Sequence, residues 1–506
     1  MMAAMVATAM SLSELLNCVQ ADISGIRITD LVSDSRQIQP GAAFLALKGD
    51  ETHGLEFASE AVERGANVVL YDPDIGSSQS FRKKPQNLLG VPVVAIPDLS
   101  SRLGELAARF YSVADISPRL VGITGTNGKS TVAYLAAQAQ TLRGYPSAYI
   151  GTIGFGIPPK LEPQLLTTPD CLSLHRALAA FNVTHAAIEV SSHALSQDRI
   201  AGLEFETAVF TNLSRDHLDY HGNLEDYQAT KARLFQLQGL RKAVLFSDDS
   251  FAVSLAHQMD RSIEQTSVSL KNKANLKGRL IDSGLQGITV SVSSSTNQQR
   301  VDIQNEGLIT SPLVGDFNAE NLVLALGVLL SWDVPFDEAC AVLSACKAPP
   351  GRMEILRGSS SQPTVVVDYA HTPEGLERVL NNLRILASAD LWCVFGCGGE
   401  RDAGKRALMG ASAARFADHI VITDDNPRGE NPRKIIDEIR RAVIDHPDVR
   451  IEHDRAKAIR EALVRAGPKD LVLVAGKGHE TWQYRAGKKH KFEDVAVVKQ
   501  TLGEYA

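Results

Sequence analysis

The sequence predicts an α/β protein of three domains, with mostly parallel sheets in the central and C-terminal domains. The chain has 506 residues, and domains average about 150 residues. Beyond the N-terminal part, β-rich runs alternate with helical runs, which is typical of parallel sheets. The composition breaks at Pro97 and at residues 348–351 (A-P-P-G). These breaks predict domains at residues 1–98, 99–348 and 349–506.

The composition is that of an ordinary globular protein and excludes several classes. The chain is 44% hydrophobic and 22% charged, and its net charge of −7 argues against a general nucleic-acid-binding protein. No apolar run approaches the roughly 20 residues that span a bilayer, and the N-terminus lacks the cations of a secretion signal or transit peptide. Six scattered cysteines predict no disulfide framework. We therefore expect a cytoplasmic protein, with Cys393 and Cys397 as buried thiols.

The N-terminal domain is predicted to be a smaller α/β unit. Apolar runs predict strands at residues 44–47 and 68–71, with a helix at 56–64 between them. A longer helix is predicted at 99–111, because its apolar residues fall on one face.

Residues 121–131, V-G-I-T-G-T-N-G-K-S-T, predict a phosphate-binding loop between a strand and a helix. The glycines let the backbone curl around a phosphate, and the free N–H groups of a helix N-terminus favour anions. The spacing departs slightly from the usual pattern, since Ile123 stands where a glycine is expected. A glycine-rich turn that binds no nucleotide is the alternative. The predicted nucleotide-binding residues are Gly125, Thr126, Asn127, Gly128, Lys129, Ser130 and Thr131.

Two polar segments follow predicted strands of the central domain, where parallel sheets place their ligands. Glu189 ends the run A-I-E-V-S-S-H and could hold Mg²⁺ beside the phosphates. The alternative is a solvated strand-end carboxylate. The segment 212–222 carries His217 among other charged residues, which makes a second metal contact plausible beside the simpler reading of an Asp-capped helix start.

Lys231 is predicted to lie on the apolar face of a helix, together with Tyr227, Leu234 and Phe235. Its stem could reach water along that face. Otherwise its amine is chemically altered or paired with phosphate, since an unpaired buried cation is costly.

The remaining motifs suit nucleotide and amino-acid recognition. Asn318, Asn321, Arg352 and Asp368 offer amide, guanidinium and carboxylate groups to a nucleotide. In the C-terminal domain, the sequence predicts strands at 365–368, 392–395, 419–423 and 471–475 and helices at 374–386 and 432–444. Charged residues follow the last three strands, at 396–402, 424–428 and 475–480. A bland turn is the alternative for Asn-Pro. Together, however, Arg401 and Arg428 could bind carboxylates and Glu480 an ammonium group, which predicts a small zwitterionic ligand. The polar, strand-like stretch 267–313 has no function that we can assign.

These blocks, in this order, resemble the Mur ligase family of ATP-dependent amide-forming enzymes. The resemblance rests on G-T-N-G-K-S-T, T-T-P-D, E-V-S-S-H, D-H-L-D-Y-H-G, N-A-E-N, P-G-R-M-E, D-Y-A-H-T-P, D-N-P-R and G-K-G-H-E and covers almost the whole chain. It implies an N-terminal domain that binds a UDP-sugar, a central P-loop ATPase and a C-terminal Rossmann-like domain that receives an amino acid.

The resemblance is strongest to members that add meso-diaminopimelate to UDP-N-acetylmuramoyl-L-alanyl-D-glutamate (UDP-MurNAc-dipeptide) through an acyl phosphate. It implies ATP and Mg²⁺ as cofactors, with Lys129, Glu189, His217 and Lys231 as catalytic residues. The implied metal ligands are Ser130, Glu189, His217 and Lys231, the last carrying a CO₂-derived carbamate. The implied UDP-sugar contacts are Ser35, Thr167, Thr168, Ser191, Gln197 and Arg199. The implied diaminopimelate contacts are Arg401, Asp425, Asn426, Pro427, Arg428, Gly476 and Glu480.

The sequence departs from the family pattern in places and leaves rivals open. Leu166 stands where an asparagine is common before Thr-Thr-Pro, and Ser130 replaces the more usual threonine. A ligase of the same family that adds L-lysine is one rival, although it would leave Arg428 without a carboxylate partner. A catalytically inactive homologue serving as a scaffold is another. We expect a monomer that uses small-molecule substrates and neither binds nucleic acid nor inserts into a membrane.

Overall fold

The computed structural model describes residues 9–17, 25–49, 52–74, 87–111, 118–181, 183–298 and 301–503. It separates into two compact units. The first comprises Met1–Pro118, Thr168–Thr184 and His193–Glu204, and the second comprises Arg119–Thr167, His185–Ser192 and Phe205–Ala506. The two boundaries between the three domains predicted from the sequence stay predictions.

Helices and strands alternate along most of the chain. The N-terminal part contains β1 (Met10–Ser11), α1 (Leu12–Leu16), β2 (Arg27–Ile28), β3 (Leu31–Val32), β4 (Ala43–Ala46), α2 (Ala58–Glu63), β5 (Val68–Tyr71), β6 (Asn87–Leu88), β7 (Val91–Ala95) and α3 (Leu103–Tyr111). The middle part contains β8 (Arg119–Thr124), α4 (Lys129–Leu142), β9 (Ser147–Gly151), β10 (Gly154–Ile157), β11 (Lys160–Glu162), α5 (Cys171–Ala180), β12 (His185–Glu189), α6 (Ser192–Ser196), β13 (Phe205–Phe210), α7 (Leu218–His221), α8 (Leu224–Ala232), β14 (Lys242–Phe246), α9 (Ser250–Gln258), β15 (Glu264–Ser269), β16 (Leu276–Gly284), β17 (Gly287–Gln298), β18 (Val301–Ser311), α10 (Phe317–Ser331) and α11 (Phe336–Ala345). The C-terminal part contains β19 (Glu354–Arg357), β20 (Thr364–Asp368), α12 (Pro373–Leu386), β21 (Leu391–Phe395), α13 (Gly404–Phe416), β22 (His419–Ile422), α14 (Pro432–Arg440), β23 (Val449–Ile451), α15 (Arg455–Arg465), β24 (Leu471–Ala475), β25 (Trp482–Arg485), β26 (Lys488–Lys491) and α16 (Asp494–Leu502).

The first unit is built on a five-stranded sheet in the order β3-β4-β5-β7-β6, parallel except for the pair β6–β7. The strand predicted at 68–71 is β5, and the one at 44–47 is β4, displaced by one residue. The helix predicted at 99–111 begins only at Leu103, because Asp98 has a positive φ of 54° and the next residues form turns. The apolar face of α3 packs into one cluster with Cys171 and Leu172 of α5.

An eleven-stranded sheet organises the middle of the chain, in the order β11-β10-β9-β12-β8-β13-β14-β15-β16-β17-β18. In this order, the seven neighbouring strands that begin with β9 and end with β16 run parallel. Antiparallel strands extend the sheet at both edges, β10 and β11 beyond β9, and β17 and β18 beyond β16. Most of the polar stretch 267–313 forms the β16–β18 meander at one edge. Because β8 lies between β12 and β13, the loops after these three neighbouring strands leave the same edge of the sheet.

The C-terminal sheet has six strands in the order β19-β20-β24-β21-β22-β23, of which only β19 is antiparallel. The four strands predicted for this sheet are β20, β21, β22 and β24, with at most one residue of difference at either end. The helix predicted at 432–444 ends at Arg440, and beyond it the amides of Ala442 and Val443 donate to carbonyls only three residues back. Cys393 and Cys397 are buried free thiols, as predicted. In the described ranges, no helix is long and apolar enough to cross a membrane.

Candidate functional site

The phosphate-binding loop joins the end of β8 to the start of α4 and requires its glycines. A Cβ on Gly125, whose φ is +143°, would lie 1.9 Å from Thr211 Oγ1. A Cβ on Gly128, whose φ is +88°, would lie 2.4 Å from Asn321 Oδ1. No side chain therefore fits at either position, and the backbone is free to face a phosphate at the helix N-terminus.

The end of β13 holds this loop in place. Thr126 N donates to Asn212 O at 2.7 Å, and Asn127 N donates to Asn212 Oδ1 at 2.9 Å. Thr211 Oγ1 donates to Asn127 O at 2.6 Å. Sequence reasoning gave Thr211 and Asn212 no role, and the only available signal was that polar residues follow a strand next to the loop.

Two lysine amines meet at the Gly125 carbonyl. Lys129 Nζ donates to Gly125 O at 2.9 Å and Thr126 O at 2.8 Å, and Lys231 Nζ donates to Gly125 O at 2.8 Å. Lys231 is 1% exposed, with its amine 4.4 Å from the centre of the Tyr227 ring. The simpler interpretation of the sequence, in which the Lys231 stem reaches water, is therefore excluded. Burial, reinforced by Lys129, lowers the pKa of Lys231 far below the usual lysine value, and burial also lowers that of Lys129.

Glu189 ends β12 inside a shell of donors. Its side chain accepts from Tyr149 OH at 2.5 Å, from Thr152 N at 2.9 Å, from Thr152 Oγ1 at 3.1 Å and from Ser130 Oγ at 2.9 Å. The residue is fully buried, which excludes the solvated strand-end carboxylate. Tyr149 and Thr152 were missed from the sequence because their link to Glu189 is made only by the pairing of β9 with β12.

Arg352 reaches this centre from the segment before β19. Its Nη2 donates to Ser130 Oγ at 2.8 Å, and its Cζ lies 4.4 Å from the centre of the Tyr369 ring. Arg352 Nε is buried without a partner in the described part of the chain, so it is a spare donor for an anion. Asp368 accepts from the Met353 and Ala370 amides at 2.8 Å and 2.7 Å. Its carboxylate therefore fixes the backbone beside Arg352.

His217 stands beside Asp216, with Nε2 3.3 Å from Asp216 Oδ2 and a positive φ of 53°. Burial lowers the pKa of His217 to about 4, so its imidazole is neutral near pH 7. Burial acts to raise the pKa of Asp216, but the fields of His217, His371 and Lys405 hold it below its usual value.

The predicted metal ligands are only partly brought together. Ser130 and Glu189 are hydrogen-bonded partners, whereas His217 pairs with Asp216 and Lys231 contacts Gly125 O. In the ranges that the structure describes, no group of three or more His, Cys, Asp or Glu side chains could hold a metal ion. A hydroxyl and a carboxylate completed by phosphate and water oxygens nevertheless match the preferences of Mg²⁺.

The predicted asparagine pair opens α10 next to the loop. Asn321 Nδ2 donates to Asn318 Oδ1 at 2.8 Å, and Asn318 Nδ2 donates to Val314 O at 2.7 Å. Both side chains are buried. In this arrangement the pair orders the start of α10 against Gly128, and its reading of a base stays a prediction.

The residues predicted for the amino acid gather where β22 and β24 end. Asn426 Nδ2 donates to Glu480 Oε2 at 2.8 Å. Lys477, fully buried and missed from the sequence, donates to Glu480 Oε2 at 2.7 Å and to Asn426 Oδ1 at 3.1 Å. A Cβ on Gly476 would lie 2.8 Å from Asp425 Oδ2, an atom that is buried without a partner in the described residues.

The three other residues of this set lie on the adjoining loops. Arg428, with a φ of +53°, donates from Nη1 to Gly399 O at 2.7 Å. Pro427 O accepts from Glu430 N at 3.0 Å, and Arg401 is exposed.

The residues predicted for the UDP-sugar divide between the two units. In the first, Ser35 Oγ donates to Glu60 Oε2 at 2.7 Å. There Arg199 also binds Thr168 O at 2.9 Å through Nη1 and Gln197 Oε1 at 3.0 Å through Nε. In the second unit, Thr167 Oγ1 lies 3.1 Å from Thr152 Oγ1, within hydrogen-bonding distance, and Ser191 follows β12.

Comparison with known families and curated proteins finds similarity along nearly the entire chain. Residues 27–111 match the Mur ligase family catalytic domain, residues 123–329 the Mur ligase middle domain, and residues 351–478 the Mur ligase glutamate ligase domain. A protein of Xanthomonas campestris pv. campestris, named UDP-N-acetylmuramoyl-L-alanyl-D-glutamate–2,6-diaminopimelate ligase, is 42% identical over 98% of this chain and 97% of its own. A Pseudomonas aeruginosa protein of the same name is 40% identical over 98% and 99%.

Solved structures agree on the fold. A structure of UDP-N-acetylmuramoyl-L-alanyl-D-glutamate–2,6-diaminopimelate ligase superimposes with a TM-score of 0.66 at 34% identity, covering 98% of this chain and 99% of that one. The MurF protein of Acinetobacter baumannii gives a TM-score of 0.68 at 15% identity over 99% of both chains, which shows the fold alone. MurF ligase of Thermotoga maritima in complex with ADP gives 0.62 at 16% identity, covering 94% and 97%.

Proposed function

The chain belongs to the Mur ligase family, and from this premise we propose that it joins meso-diaminopimelate to UDP-N-acetylmuramoyl-L-alanyl-D-glutamate at the expense of ATP. The observation that carries the proposal is the convergence of Ser130, Glu189 and Arg352 beside the phosphate-binding loop. The names of relatives that are 40–42% identical support the choice of substrates. We also propose that the enzyme works in the cytoplasm as a monomer.

The reaction proceeds by acyl activation. The dipeptide carboxylate attacks the γ-phosphorus of ATP, the bond to the leaving ADP oxygen breaks, and an acyl phosphate forms. The diaminopimelate amine then attacks the acyl carbon, phosphate leaves, and the nitrogen loses a proton as the amide forms. No protein nucleophile is required, so the chain acts by positioning and by charge stabilisation.

Two cations of the chain face the transferring phosphoryl group in this proposal. Lys129 lies on the phosphate-binding loop, and Arg352, next to Ser130, offers its buried Nε, which has no partner among the described residues. Stacking on Tyr369 fixes the guanidinium plane. Preorganised cations of this kind stabilise charge that develops in the transition state.

Ser130 and Glu189 would hold Mg²⁺, with His217 as a further predicted ligand. Their donor chemistry fits, since a hydroxyl, a carboxylate and a neutral imidazole can all coordinate a divalent cation. The ion would supply neutralisation of phosphate charge. The burial of Glu189 beneath Tyr149 and Thr152 keeps its carboxylate in one orientation.

The carbamate on Lys231 remains part of the proposal, and its support is the depressed pKa of this amine. Only a neutral amine can attack CO₂, forming an N–C bond and releasing a proton. Burial beside Lys129 favours the neutral form of Lys231. The resulting anion would exchange a destabilised buried cation for a group that attracts Lys129 and Mg²⁺.

The amino-acid pocket supports diaminopimelate over the L-lysine rival through Arg428. This guanidinium is held by Gly399 O and offers further donors to a distal carboxylate. Lysine would leave those donors without a charged partner. The alternative of an inactive scaffold is less well supported, because Lys129, Glu189 and Lys231 are all present. Both lysines contact Gly125 O, and Glu189 accepts from Ser130.

The test is phosphate release and amide formation with purified protein, ATP, Mg²⁺ and the UDP-sugar dipeptide, with diaminopimelate or lysine added in parallel. We expect amide product with diaminopimelate and little with lysine. Equal rates with both amino acids would contradict the role of Arg428. Phosphate release that needs neither acceptor would point to an unrelated ATPase, and no product from any mixture would favour the scaffold.

A further inference from the structure

His479 lies between the phosphate centre and the predicted amino-acid pocket, and it belongs to neither of these two predicted sets of residues. Its Nε2 is 2.8 Å from Thr152 O. Because Thr152 O can only accept, Nε2 carries the proton and donates. Next in the chain is Glu480, whose carboxylate belongs to the predicted amino-acid pocket.

On the phosphate side, the contact continues through one residue to the predicted magnesium ligand. Thr152 N donates to Glu189 Oε1 at 2.9 Å, and Thr152 Oγ1 donates to Glu189 Oε2 at 3.1 Å. Thr152 therefore presents its carbonyl to His479 and both of its donors to Glu189. A shift of His479 changes the position of the residue that orients this carboxylate.

On the amino-acid side, His479 belongs to a turn whose position is fixed. Glu480 N donates to Lys477 O at 2.9 Å, and the buried Lys477 amine binds both Glu480 and Asn426. A Cβ on Gly351 would lie 2.1 Å from His479 N, so the backbone of the turn also touches the segment that carries Arg352. The turn that carries His479 therefore also carries Glu480 of the predicted pocket.

The ring of His479 makes a second connection to the phosphate centre. It lies 5.1 Å from the ring of Tyr369 between centroids, at 42°, and Arg352 stacks on the same tyrosine. His479 Nδ1 is buried without a partner in the described residues, so the ring is not held by a second hydrogen bond. Its orientation rests on Thr152 and Tyr369.

We propose that His479 is a positioning residue that couples the amino-acid pocket to the phosphate centre through Thr152 and Tyr369. This inference rests on the proposed function and adds to it a physical link between the two half-reactions. The link aligns the amine with the acyl phosphate, so that phosphate release and amide formation stay matched. His479 takes no part in bond making or proton transfer.

A matched pair of variants isolates the Nε2 hydrogen bond. A glutamine amide can place its NH₂ group near the position of Nε2, whereas an asparagine amide reaches only the region of Nδ1. We therefore compare H479Q with H479N, and use H490N on the exposed hairpin strand β26 as the control for histidine loss. Thermal melting of each variant checks that it is folded.

In H479N, we expect kcat for amide formation to fall about tenfold or more, since one buried carbonyl loses its donor. The KM for ATP should stay within about threefold, and phosphate release should exceed amide product. H479Q should recover most of the rate and the matched stoichiometry, and H490N should behave as the parent. An H479N variant with parental rate and stoichiometry would overturn the proposal, as would an H479Q variant as impaired as H479N.

A second readout needs no turnover. In the protein without metal or nucleotide, backbone amide exchange in residues 149–153 should be faster in H479N than in the parent and near parental in H479Q. Unchanged exchange in H479N would overturn the link to Thr152. If the parent protein formed no amide, the proposed function would fail, while the exchange comparison would still decide whether His479 holds Thr152.

Discussion

At the residue scale, the burial of the Lys231 amine is destabilising, and the proposed chemistry of this amine explains it. Its amine is buried, lies beside another lysine and has a strongly depressed pKa. A lysine kept only for packing would be better replaced by an apolar residue of similar length. The position is therefore understandable if the amine has to be neutral to react.

Lys231→Ala should abolish amide formation, since the proposed carbamate and its charge are lost. Partial recovery is expected with a small carboxylate such as acetate or propionate, which can enter the vacated space. Phosphate release and product formation measure both effects. The exposed Lys434→Ala serves as the control, and a fully active Lys231→Ala enzyme would exclude the carbamate.

Arg428 tests the choice of amino acid. Arg428→Ala should lower kcat/KM for diaminopimelate about tenfold to a hundredfold, since a charge-assisted hydrogen bond is worth about 1.5–3 kcal/mol. Rates with lysine should change far less, because lysine has no distal carboxylate. Parallel kinetics with the two amino acids measure the difference. Equal losses with both would mean that Arg428 supports the loop only, through Gly399 O.

At the scale of elements, the phosphate-binding loop packs so closely against the end of β13 that its glycines leave no room for a side chain. Gly125→Ala would drive a methyl group into Thr211 at the end of β13. We expect loss of nucleotide binding and activity, together with a lower melting temperature. Gly284→Ala is the matched control, since its Cβ would meet only one atom, at 4.0 Å. Calorimetry measures nucleotide binding by both variants. A Gly125→Ala protein that binds ATP normally would contradict the assignment of the loop to phosphate binding.

His419, at the start of β22, makes the stability of the C-terminal sheet depend on pH. Burial opposes protonation, but hydrogen bonds to Asp448 and Asp390 raise the pKa of His419 above its usual value. The stabilisation is complete below the usual histidine pKa and is lost as pH rises through the raised value. His419→Gln should therefore flatten the decline in melting temperature above about pH 6.5. An equally steep decline in the variant would show that other groups cause it.

The sequence predicted strands of the parallel sheets well, because a strand buried on both faces is one continuous apolar run. β24 and β5 were predicted to the residue. It also indicated Glu189 and Lys231, since a charged group at a strand end or on an apolar face is conspicuous. Arg352 was named for its guanidinium group, which suits a phosphate. The sequence did not indicate the residues that act through partners which only the folded chain brings near. These are Tyr149, Thr152, Lys477 and His479. The late start of α3 escaped for a similar reason, since no local pattern marks Asp98 as left-handed.

At the scale of the whole molecule, the predicted ligands should protect different parts of the chain. The phosphate-binding loop, Glu189 and Arg352 all belong to the second unit, whereas Ser35, Thr168, Gln197 and Arg199 belong to the first. A ligand stabilises the structure it binds by an amount that grows with its concentration over Kd, about 2.7 kcal/mol at 100 times Kd. Binding of one ligand therefore need not slow exchange equally in both units.

Hydrogen exchange measured with one ligand at a time tests this division. Mg²⁺ with a non-hydrolysable ATP analogue should slow exchange in residues 121–135 and 349–353 and leave residues 31–46 unchanged. The UDP-sugar dipeptide alone should slow exchange in residues 31–38, 168–171 and 197–199. Gly284→Ala, at the last residue of β16, should reproduce the parental pattern. Protection of residues 31–38 by the nucleotide alone, with no effect of the UDP-sugar, would contradict the assignment of Ser35 and its partners to the sugar substrate.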